Sequence, residues 1–477
     1  MNDKSNTKEY QIHKASMKIL NEVGIKFHNE KAVEILKNNG IRMEGNVAKF
    51  NEDEIMRWVE KAPSHCTLHA RNPKYNVVFG GDKVNHAPGY GCAFIAEKDG
   101  SQREGTIYDY IKCAKMYHTN DDFNIVGGIM VQPNDVPQDS APLDMFYSTF
   151  THSEKAMFIA TGEEKYVRAI MRSMAEVYGG FDEMVRKPRL IALANTNSPL
   201  ALDKIMLDNI MVFAEYGQPV VVAPSTMLGL TGPVTIAGTL ASSNSEVLAG
   251  IALAQMIRPG TPILYGMQST GSDMRMAQIA GASPEGTLIQ GFGGKMAKYY
   301  KLPCRGGGCM TDSPTVNAQA GYESMMTCFS SYMNKINFVI HSGGIVAGFN
   351  ALSFEKMIID FEVIRYVKRC FRGFEINEDT LALDLIKEKG HSGEFLTSDH
   401  TWNNFRSEIY TPMISTRGNV NNPMEEYDNA IEKEIDNMIR KYDENRPEID
   451  KKDIEKVRRI LGEAGIEKDR LDYIDSL

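Results

Sequence analysis

The chain has 477 residues, of which 42% are hydrophobic and 24% are charged, a composition typical of a folded globular protein and not of a disordered one. A formal net charge of −9, without any local Lys/Arg-rich run, argues against nucleic-acid binding, which normally requires a basic surface. Residues 1–10 contain no apolar signal-peptide core, and no stretch approaches the roughly 18 uncharged apolar residues that cross a bilayer. We therefore expect a cytoplasmic protein that does not associate with membranes and whose partners are small molecules or proteins.

Residues 1–81 form the first predicted unit, an N-terminal decoration of helices and short strands. Apolar residues at helical spacing predict helices over residues 10–23, 29–39 and 52–61. The Gly45-Asn46 turn predicts a hairpin over residues 41–50, and two further short strands are expected at residues 66–70 and 75–79. These elements are expected to pack on a larger domain.

From residue 82 onward, short apolar β-branched runs alternate with helical segments of a dozen or more residues, among them a predicted helix over residues 201–216. Eight strands are predicted, at residues 83–87, 123–127, 157–161, 190–194, 220–223, 263–265, 302–305 and 338–341. Eight uninterrupted βα units favour a closed (β/α)8 TIM barrel over residues 82–375. The alternative is an open doubly wound sheet, but no GxGxxG motif follows the first strand.

Residues 376–477 form a predicted C-terminal extension. Residues 422–477 carry dense alternating charges at helical spacing, which is typical of solvated helices, although such a face can also dock a partner subunit. Residues 397–420 contain Trp402, Phe405 and Tyr410. We expect this aromatic segment to fold back over the barrel as a lid.

Several kinds of chemistry lack the residues they need. The seven cysteines are scattered without a CxxC pair, which disfavours a disulfide framework or a zinc site. Only His341 stands at a predicted strand end as a metal-ligand type, with Asp312 well beyond its strand, so we expect no metal site. No lysine ends a strand and no carboxylates are paired, which disfavours Schiff-base aldolases and glycosidases. General acid–base chemistry is therefore poorly supported.

Arg305 is the fixed positive charge at a predicted strand end, and Gly306, Gly307 and Gly308 follow it. A guanidinium with neighbouring backbone N–H groups would suit a carboxylate. Alternatively, Arg305 pairs with an acidic neighbour in the barrel rim. His341 could orient the same anion or cap its own strand. The many glycines at strand ends predict a wide opening that a large partner can approach.

A set of aromatic residues lies on or near predicted loops, namely Tyr90, Phe349, Trp402, Phe405 and Tyr410. Aromatic faces attract a quaternary ammonium group with about 0.5 to 2 kcal/mol per contact. The alternative is ordinary packing of a C-terminal segment. The pattern leaves both interpretations open.

Three motifs resemble the trimethylamine methyltransferase family: LPCRGGGCMTDSPTVNAQA at residues 302–320, TGPVT at residues 231–235 and AGYES at residues 320–324. The likeness runs from the N-terminal helices to about residue 420. It implies a β/α barrel that passes a methyl group from an amine to the Co(I) corrinoid of a separate protein. The founding enzymes contain pyrrolysine, whereas this chain has only the standard residues. It therefore resembles the branch that demethylates quaternary amines such as glycine betaine, proline betaine and carnitine.

The resemblance also implies a division of labour in the site. Tyr90, Phe349 and Trp402 would hold the ammonium group, Arg305 and His341 would fix a carboxylate, and Gln268 would line the substrate site, while the corrinoid would enter past Gly306, Gly307 and Gly308. No residue acts as an acid or base, because a quaternary nitrogen leaves as a neutral amine and the protein only positions it.

The chain lacks a DxHxxG motif of the cobalamin-ligating kind, so the corrinoid should arrive on a partner protein and none should be bound by this chain. The family likeness further implies a homo-oligomer. Two alternatives remain from other classes of function: a betaine-binding protein without turnover, and a barrel lyase that uses Arg305 for a carboxylate substrate.

Overall fold

The computed structural model describes residues 7–477 and contains a closed barrel of eight parallel strands. Each strand pairs with the next along the chain, β8 pairs with β1, and an isolated bridge between His86 and Phe123 joins β1 to β2. The strands are β1 Asn85–His86, β2 Ile125–Gly127, β3 Ala156–Ile159, β4 Leu190–Asn195, β5 Val220–Ala223, β6 Ile263–Gly266, β7 Cys304–Gly307 and β8 Phe338–Ile340. The predicted (β/α)8 barrel is confirmed.

Eight helices alternate with these strands and form the outer ring. They are α1 Ile107–Thr119, α2 Ala141–His152, α3 Glu164–Tyr178, α4 Lys204–Glu215, α5 Ile236–Ile257, α6 Pro284–Tyr299, α7 Ala318–Met333 and α8 Phe354–Arg372. A short helix, Phe181–Arg186, follows α3. The predicted start of α4 at residue 201 was wrong, because Ala201–Leu202 pairs as a strand with Ile25–Phe27 and the Asp203 side chain caps the helix instead.

A hairpin of Cys66–Leu68 and Val77–Phe79 fills one end of the barrel. The ring of Phe79 packs edge-on against Phe338 of β8, with centroids 5.3 Å apart. The N–H of His69 donates to Pro188 O, just before β4. This is the end where the strands begin, so a ligand site must lie at the opposite end, where the strands finish.

The remaining N-terminal elements pack on the outside of α5. They are the helices Lys8–Lys18, Glu30–Asn38 and Glu52–Val59, a π-helical turn Ile19–Val23, and the strands Ile25–Phe27, Arg42–Glu44 and Val47–Lys49. The 3-10 turn Pro73–Tyr75 is not among them, because it lies between the two strands of the hairpin that fills the barrel end. Ser16 Oγ donates to Ala241 O of α5 over 2.9 Å. The hairpin predicted at residues 41–50 is confirmed.

The C-terminal extension has six helices, Glu378–Leu381, Leu383–Lys389, Asp399–Glu408, Pro423–Glu444, Lys451–Glu463 and Lys468–Ser476. The last three are not merely solvated, because each buries apolar side chains against the barrel helices. Arg470 forms an ion pair with the fully buried Asp144 of α2. Short strands at Phe94–Ala96, Gln102–Glu104, Gly271–Asp273, Gln278–Ala280, Ile345–Val346 and Ala351–Leu352 decorate the other end of the barrel. None of the helices within residues 7–477 combines the length and apolarity needed to cross a membrane.

Candidate functional site

Arg305 is the second residue of β7, and its side chain, which is 1% exposed, contacts the loops at the end of the barrel where the strands finish. One guanidinium nitrogen donates to Gln268 Oε1, in the loop after β6. The other lies 3.3 Å from His341 Nε2, in the loop after β8. Three of the residues predicted from strand ends therefore meet in one polar cluster.

The guanidinium of Arg305 has no counter-charge. No carboxylate in residues 7–477 forms an ion pair with it, and its Nε atom has no hydrogen-bond partner there. Burial lowers the pKa of Arg305 to about 9, because desolvation penalises the charged form. The alternative of a structural ion pair was wrong, and because burying an unpaired charge is costly, a ligand that supplied the opposite charge would stabilise this cluster.

His341 completes the polar cluster as a neutral ring. The pKa of His341 is well below its ordinary value, mainly because the ring is buried and also because the charge of Arg305 is nearby. Since a guanidinium has only donors, Nε2 accepts the hydrogen bond and the proton of the neutral ring resides on Nδ1. Nδ1 has no partner within residues 7–477. The site thus holds two buried donors that a carboxylate could satisfy, His341 Nδ1–H and Arg305 Nε–H.

Phe349 covers the cluster from the loop after β8. Its ring centroid lies 4.7 Å from that of His341. Both residues have left-handed backbones, with φ of 77° and 61°, a costly conformation that clusters at ligand sites. A Cβ on Gly281 would lie 2.4 Å from the Phe349 ring, so only glycine fits there. The Asp312 carboxylate accepts the Gly281 N–H at 2.8 Å and so fixes the loop that carries Gly281.

Tyr90 lies in the loop after β1 and packs in the barrel interior beneath the cluster. Its ring stacks on Phe158 of β3 with centroids 4.9 Å apart. Burial raises the pKa of Tyr90, and hydrogen bonding with Thr161 opposes that shift. The phenol lies near the Arg305 guanidinium and, if ionised, would raise the pKa of Arg305. Tyr90, Arg305, Gln268, His341 and Phe349 therefore share one region of the molecule.

Trp402 was wrongly assigned to the site. Its side chain is 66% exposed and contacts Phe405 of its own helix, Asp399–Glu408. That helix ends where Arg369, near the C-terminus of α8, donates to Glu408 O over 2.7 Å. The C-terminus of α8 lies where the strands begin, so Trp402 is remote from Arg305, and residues 397–410 do not form the expected lid.

The role predicted for Gly306, Gly307 and Gly308 was also wrong. All three are buried, and the space that a side chain would occupy is filled by the protein itself. A Cβ on Gly307 would lie 2.7 Å from Gln290 Oε1, and one on Gly308 would lie 2.5 Å from Ser342 Oγ. These glycines let β7 pack tightly against its neighbours and do not open a passage for a corrinoid.

Two features of this end of the barrel escaped sequence reasoning. Gln290, in the middle of α6, accepts the Gly307 N–H at 2.7 Å and leaves its own amide nitrogen without a partner in residues 7–477. Lys356 and Asp360 form a fully buried ion pair on α8. No strand-end pattern identifies residues that reach the site from helices, although a Lys and an Asp four apart inside an apolar helix face could have indicated the pair.

Metal binding has no support from these side chains: across residues 7–477, no group of three or more His, Cys, Asp and Glu residues is placed to hold an ion.

The fold and the site together define a β/α-barrel protein with a buried positive charge near its strand ends that has no carboxylate partner within residues 7–477. Comparison with known sequences agrees: the family model for trimethylamine methyltransferase (MTTB) matches residues 1–460. The chain therefore belongs to the trimethylamine methyltransferase family, as its motifs predicted, and it is a methyltransferase.

Two relatives match this chain over most of its length. It is 42% identical to the glycine betaine methyltransferase of Desulfitobacterium hafniense (strain Y51), over 85% of each chain. It is 31% identical to the proline betaine:corrinoid methyltransferase of Eubacterium limosum, again over 85% of each chain. Among solved structures, the monomethylamine methyltransferase (MtmB) of Methanosarcina barkeri superposes with a TM-score of 0.47 at 11% identity, covering 90% of this chain and 98% of that chain.

Proposed function

We propose that this protein transfers a methyl group from a small betaine to the Co(I) corrinoid of a separate partner protein. The observation that carries the proposal is the buried, uncompensated charge of Arg305. A carboxylate would supply the missing counter-charge and accept from both Arg305 and the free Nδ1–H of His341. Charge-assisted hydrogen bonds of this kind are about twice as strong as neutral ones.

The spacing of the cluster favours a short substrate. His341 contacts Arg305 on one side and the Phe349 ring on the other, so a single imidazole ring separates the anion-binding group from an aromatic face. Glycine betaine has one methylene between its carboxylate and its ammonium group, which matches this gap better than the longer carnitine does. The names of both relatives, which specify betaines, support the same class of substrate.

The reaction needs positioning rather than acid–base groups. The bond from nitrogen to the methyl carbon breaks as that carbon bonds to cobalt, and the nitrogen keeps the electron pair as a neutral tertiary amine. The corrinoid supplies the nucleophile, and no proton moves. The neutral His341 and the aromatic Phe349 and Tyr90 fit this chemistry, since they orient the substrate without titrating. Tight stabilisation of the ammonium would slow the step, because that charge disappears in the product.

The partner and the compartment belong to the same proposal. The corrinoid is carried by a separate protein, which the name of the proline betaine relative supports, and this chain holds no cofactor of its own. The net charge of −9 supports a protein that binds neither nucleic acid nor anionic membranes, and the proposal places it in the cytoplasm. The corrinoid protein would approach the end of the barrel that carries Arg305.

Methylation of Co(I) cobalamin tests this function directly. The purified protein is mixed with Co(I) cobalamin and glycine betaine, proline betaine, carnitine or trimethylamine, and methylcobalamin formation is followed by its absorbance. We expect methylation with glycine betaine and none with trimethylamine, which has no carboxylate. Failure with every betaine, both with free cobalamin and with a cognate corrinoid protein, would contradict methyl transfer. Tight betaine binding in the same samples would then indicate a binding protein.

A further inference from the structure

The outer face of α7 carries an apolar stripe that nothing in residues 7–477 covers. Tyr322, Met325, Phe329 and Met333 recur at intervals of three and four residues, which places them on one side of the helix. Their exposed fractions are 64%, 36%, 40% and 64%. A surface helix normally turns its apolar stripe inward, so this second apolar side, here called the α7 stripe, indicates a contact with another molecule.

A second uncovered surface is the segment of residues 374–397, here called the arm. No side chain in the arm is buried, yet it has two short helices, and reciprocal hydrogen bonds between Asn377 and Thr380 cap the N-terminus of the first. It exposes seven large apolar residues: Phe374, Ile376, Leu381, Leu383, Ile386, Phe395 and Leu396. A solvated linker would be poor in such residues, so the arm has the composition of a segment that packs against something.

The arm and the α7 stripe are continuous with each other. Phe371, in the last turn of α8, contacts Phe329 and Tyr332 of α7, with ring centroids 5.0 and 5.4 Å apart. The arm leaves the barrel immediately after this contact. Together the two surfaces form a patch of a kind that soluble monomers rarely expose.

The charges around the two surfaces are complementary. The arm has six carboxylates and two lysines. The C-terminal parts of α6 and α7 and the turns after them expose Lys295, Lys298, Lys301 and Lys335. Opposite potentials steer and orient association, so the acidic apolar arm fits the basic apolar surface beside the α7 stripe.

We propose that the arm of one copy of this chain packs on the α7 stripe of a second copy, in a two-fold symmetric dimer. Such an interface is self-complementary, because each copy supplies both the arm and the stripe. The arm begins where the barrel strands begin, at the end opposite Arg305. The arm therefore starts away from the substrate end of the barrel, and the proposed contact does not depend on the function proposed above.

Sedimentation velocity of the full chain tests this contact at micromolar concentrations. Met333→Glu in the stripe and Phe374→Glu in the arm each place a charge at a position that is exposed in the single chain, 64% and 77% respectively. We expect the unaltered protein to sediment as a dimer or a higher even-numbered assembly. Each variant should weaken the dimer by at least about tenfold, the effect of losing about 1.4 kcal/mol. Met424→Glu, at a position that is 75% exposed on another helix, is the matched control and should leave the assembly unchanged.

Two results would overturn the proposal. One is an unaltered protein that sediments as a monomer. If the variants then impaired binding to a corrinoid protein, the two surfaces would be a docking site for that protein and not for a second copy. The other is an assembly that both variants leave intact. Thermal unfolding checks that the variants remain folded. If either one does not, replacing residues 375–397 with a Gly-Ser linker of equal length removes the arm without touching a buried side chain, and loss of the dimer is then expected from that variant.

Discussion

Arg305 shows how a binding residue can oppose the stability of its own fold. Its charge is buried among Gln268, His341 and the aromatic residues without a counter-ion. Burial of an unpaired charge costs free energy, and the substrate-free protein bears this cost. The cost is recovered when a carboxylate binds, so affinity and stability should change in opposite directions when this side chain is replaced.

Replacement of Arg305 by glutamine should stabilise the substrate-free protein while it abolishes betaine binding. We expect the free energy of unfolding to rise by about 1 to 4 kcal/mol, by analogy with buried ion pairs that are replaced by well-packed hydrophobic residues of similar volume. Betaine affinity should fall more than about a hundredfold, which corresponds to about 2.7 kcal/mol. Urea unfolding and calorimetric titration measure the two effects. A loss of both stability and binding would contradict the idea that the charge is uncompensated. Arg168→Gln, at a partly exposed ion pair, is the control and should preserve binding.

His341 should make the protein less stable in acid. Its pKa in the folded state is held well below the ordinary value by burial and by Arg305. Below about pH 6.5 the unfolded chain takes up a proton that the folded chain does not, so stability is present above that pH and is lost as the pH falls, by up to about 1.4 kcal/mol per pH unit.

The His341→Asn variant should therefore lose less stability than the unaltered protein when the pH is lowered from about 6.5 to about 5. Urea midpoints at several pH values give the two slopes. Equal slopes would show that His341 is protonated normally in the fold. His391→Asn, in the exposed arm, is the control. His86 also has a pKa lowered by burial, to about 3, so part of the acid sensitivity should remain.

At the scale of elements, helix α8 stabilises the loop after β8, which carries His341 and Phe349. Asp360 accepts the Gly344 N–H at 2.8 Å, in the loop between His341 and Phe349. Lys356, one turn earlier, donates to Ser324 Oγ of α7 at 2.7 Å and pairs with Asp360. Burial raises the pKa of Asp360 to about 6, and the charge of Lys356 opposes the shift. One buried ion pair therefore links α7, α8 and the loop after β8.

Asp360→Asn should destabilise the protein by about 3 to 5 kcal/mol, because it leaves the charge of Lys356 buried without a partner. The amide can still accept from Gly344, so the loop bond is preserved. The double variant Lys356→Met with Asp360→Asn should recover most of the loss. A double-mutant cycle by urea unfolding measures the coupling between the two residues. If the single variant were as stable as the unaltered protein, the ion pair of Lys356 and Asp360 would not stabilise the contacts between α7, α8 and the loop after β8.

The sequence predicted the elements better than it predicted how some of them face the site. The eight strands were found because short runs, most of them apolar, alternate with turns and helical segments. The polar β1 Asn85–His86 and the glycine-rich β7 Cys304–Gly307 were placed by that alternation. Arg305, Gln268 and His341 were expected to lie close together because the ends of parallel strands meet at one end of a barrel, and their side chains are in contact. Trp402 was misplaced because nothing local shows which part of the barrel a distant helix packs against.

The glycines after Arg305 show a second limit of local reasoning. A run of glycines indicates close approach, but the sequence does not say whether a ligand or a neighbouring strand approaches. In the structure Ser342 fills the space beside Gly308. The buried pair of Lys356 and Asp360 depends likewise on tertiary packing, because their spacing on α8 can indicate a pair but does not establish that both side chains are buried.

On the scale of the whole molecule, the charged C-terminal extension has two parts with opposite relations to the barrel. The helices between residues 423 and 477 bury apolar side chains against it, whereas the arm buries none. The buried residues of these helices are Ile431, Ile435, Met438, Tyr442, Val457, Ile460, Leu461, Leu471 and Ile474. Both parts resemble solvated segments in the sequence, since their charges are similarly dense.

Removal of residues 423–477 should therefore prevent folding, whereas removal of the arm should not. Each buried apolar side chain of the C-terminal helices contributes about 1.5 to 3 kcal/mol, so the nine together contribute about 14 to 27 kcal/mol, which matches or exceeds the roughly 5 to 15 kcal/mol that keeps a typical domain folded. Asp144 would also lose Arg470, its partner in the buried ion pair. We expect the chain truncated after residue 422 to be insoluble or to lack a cooperative thermal transition. The chain in which a Gly-Ser linker replaces residues 375–397 should unfold cooperatively near the temperature of the unaltered protein, as measured by circular dichroism. A soluble, cooperatively folding truncated chain would mean that the barrel is stable without its C-terminal helices.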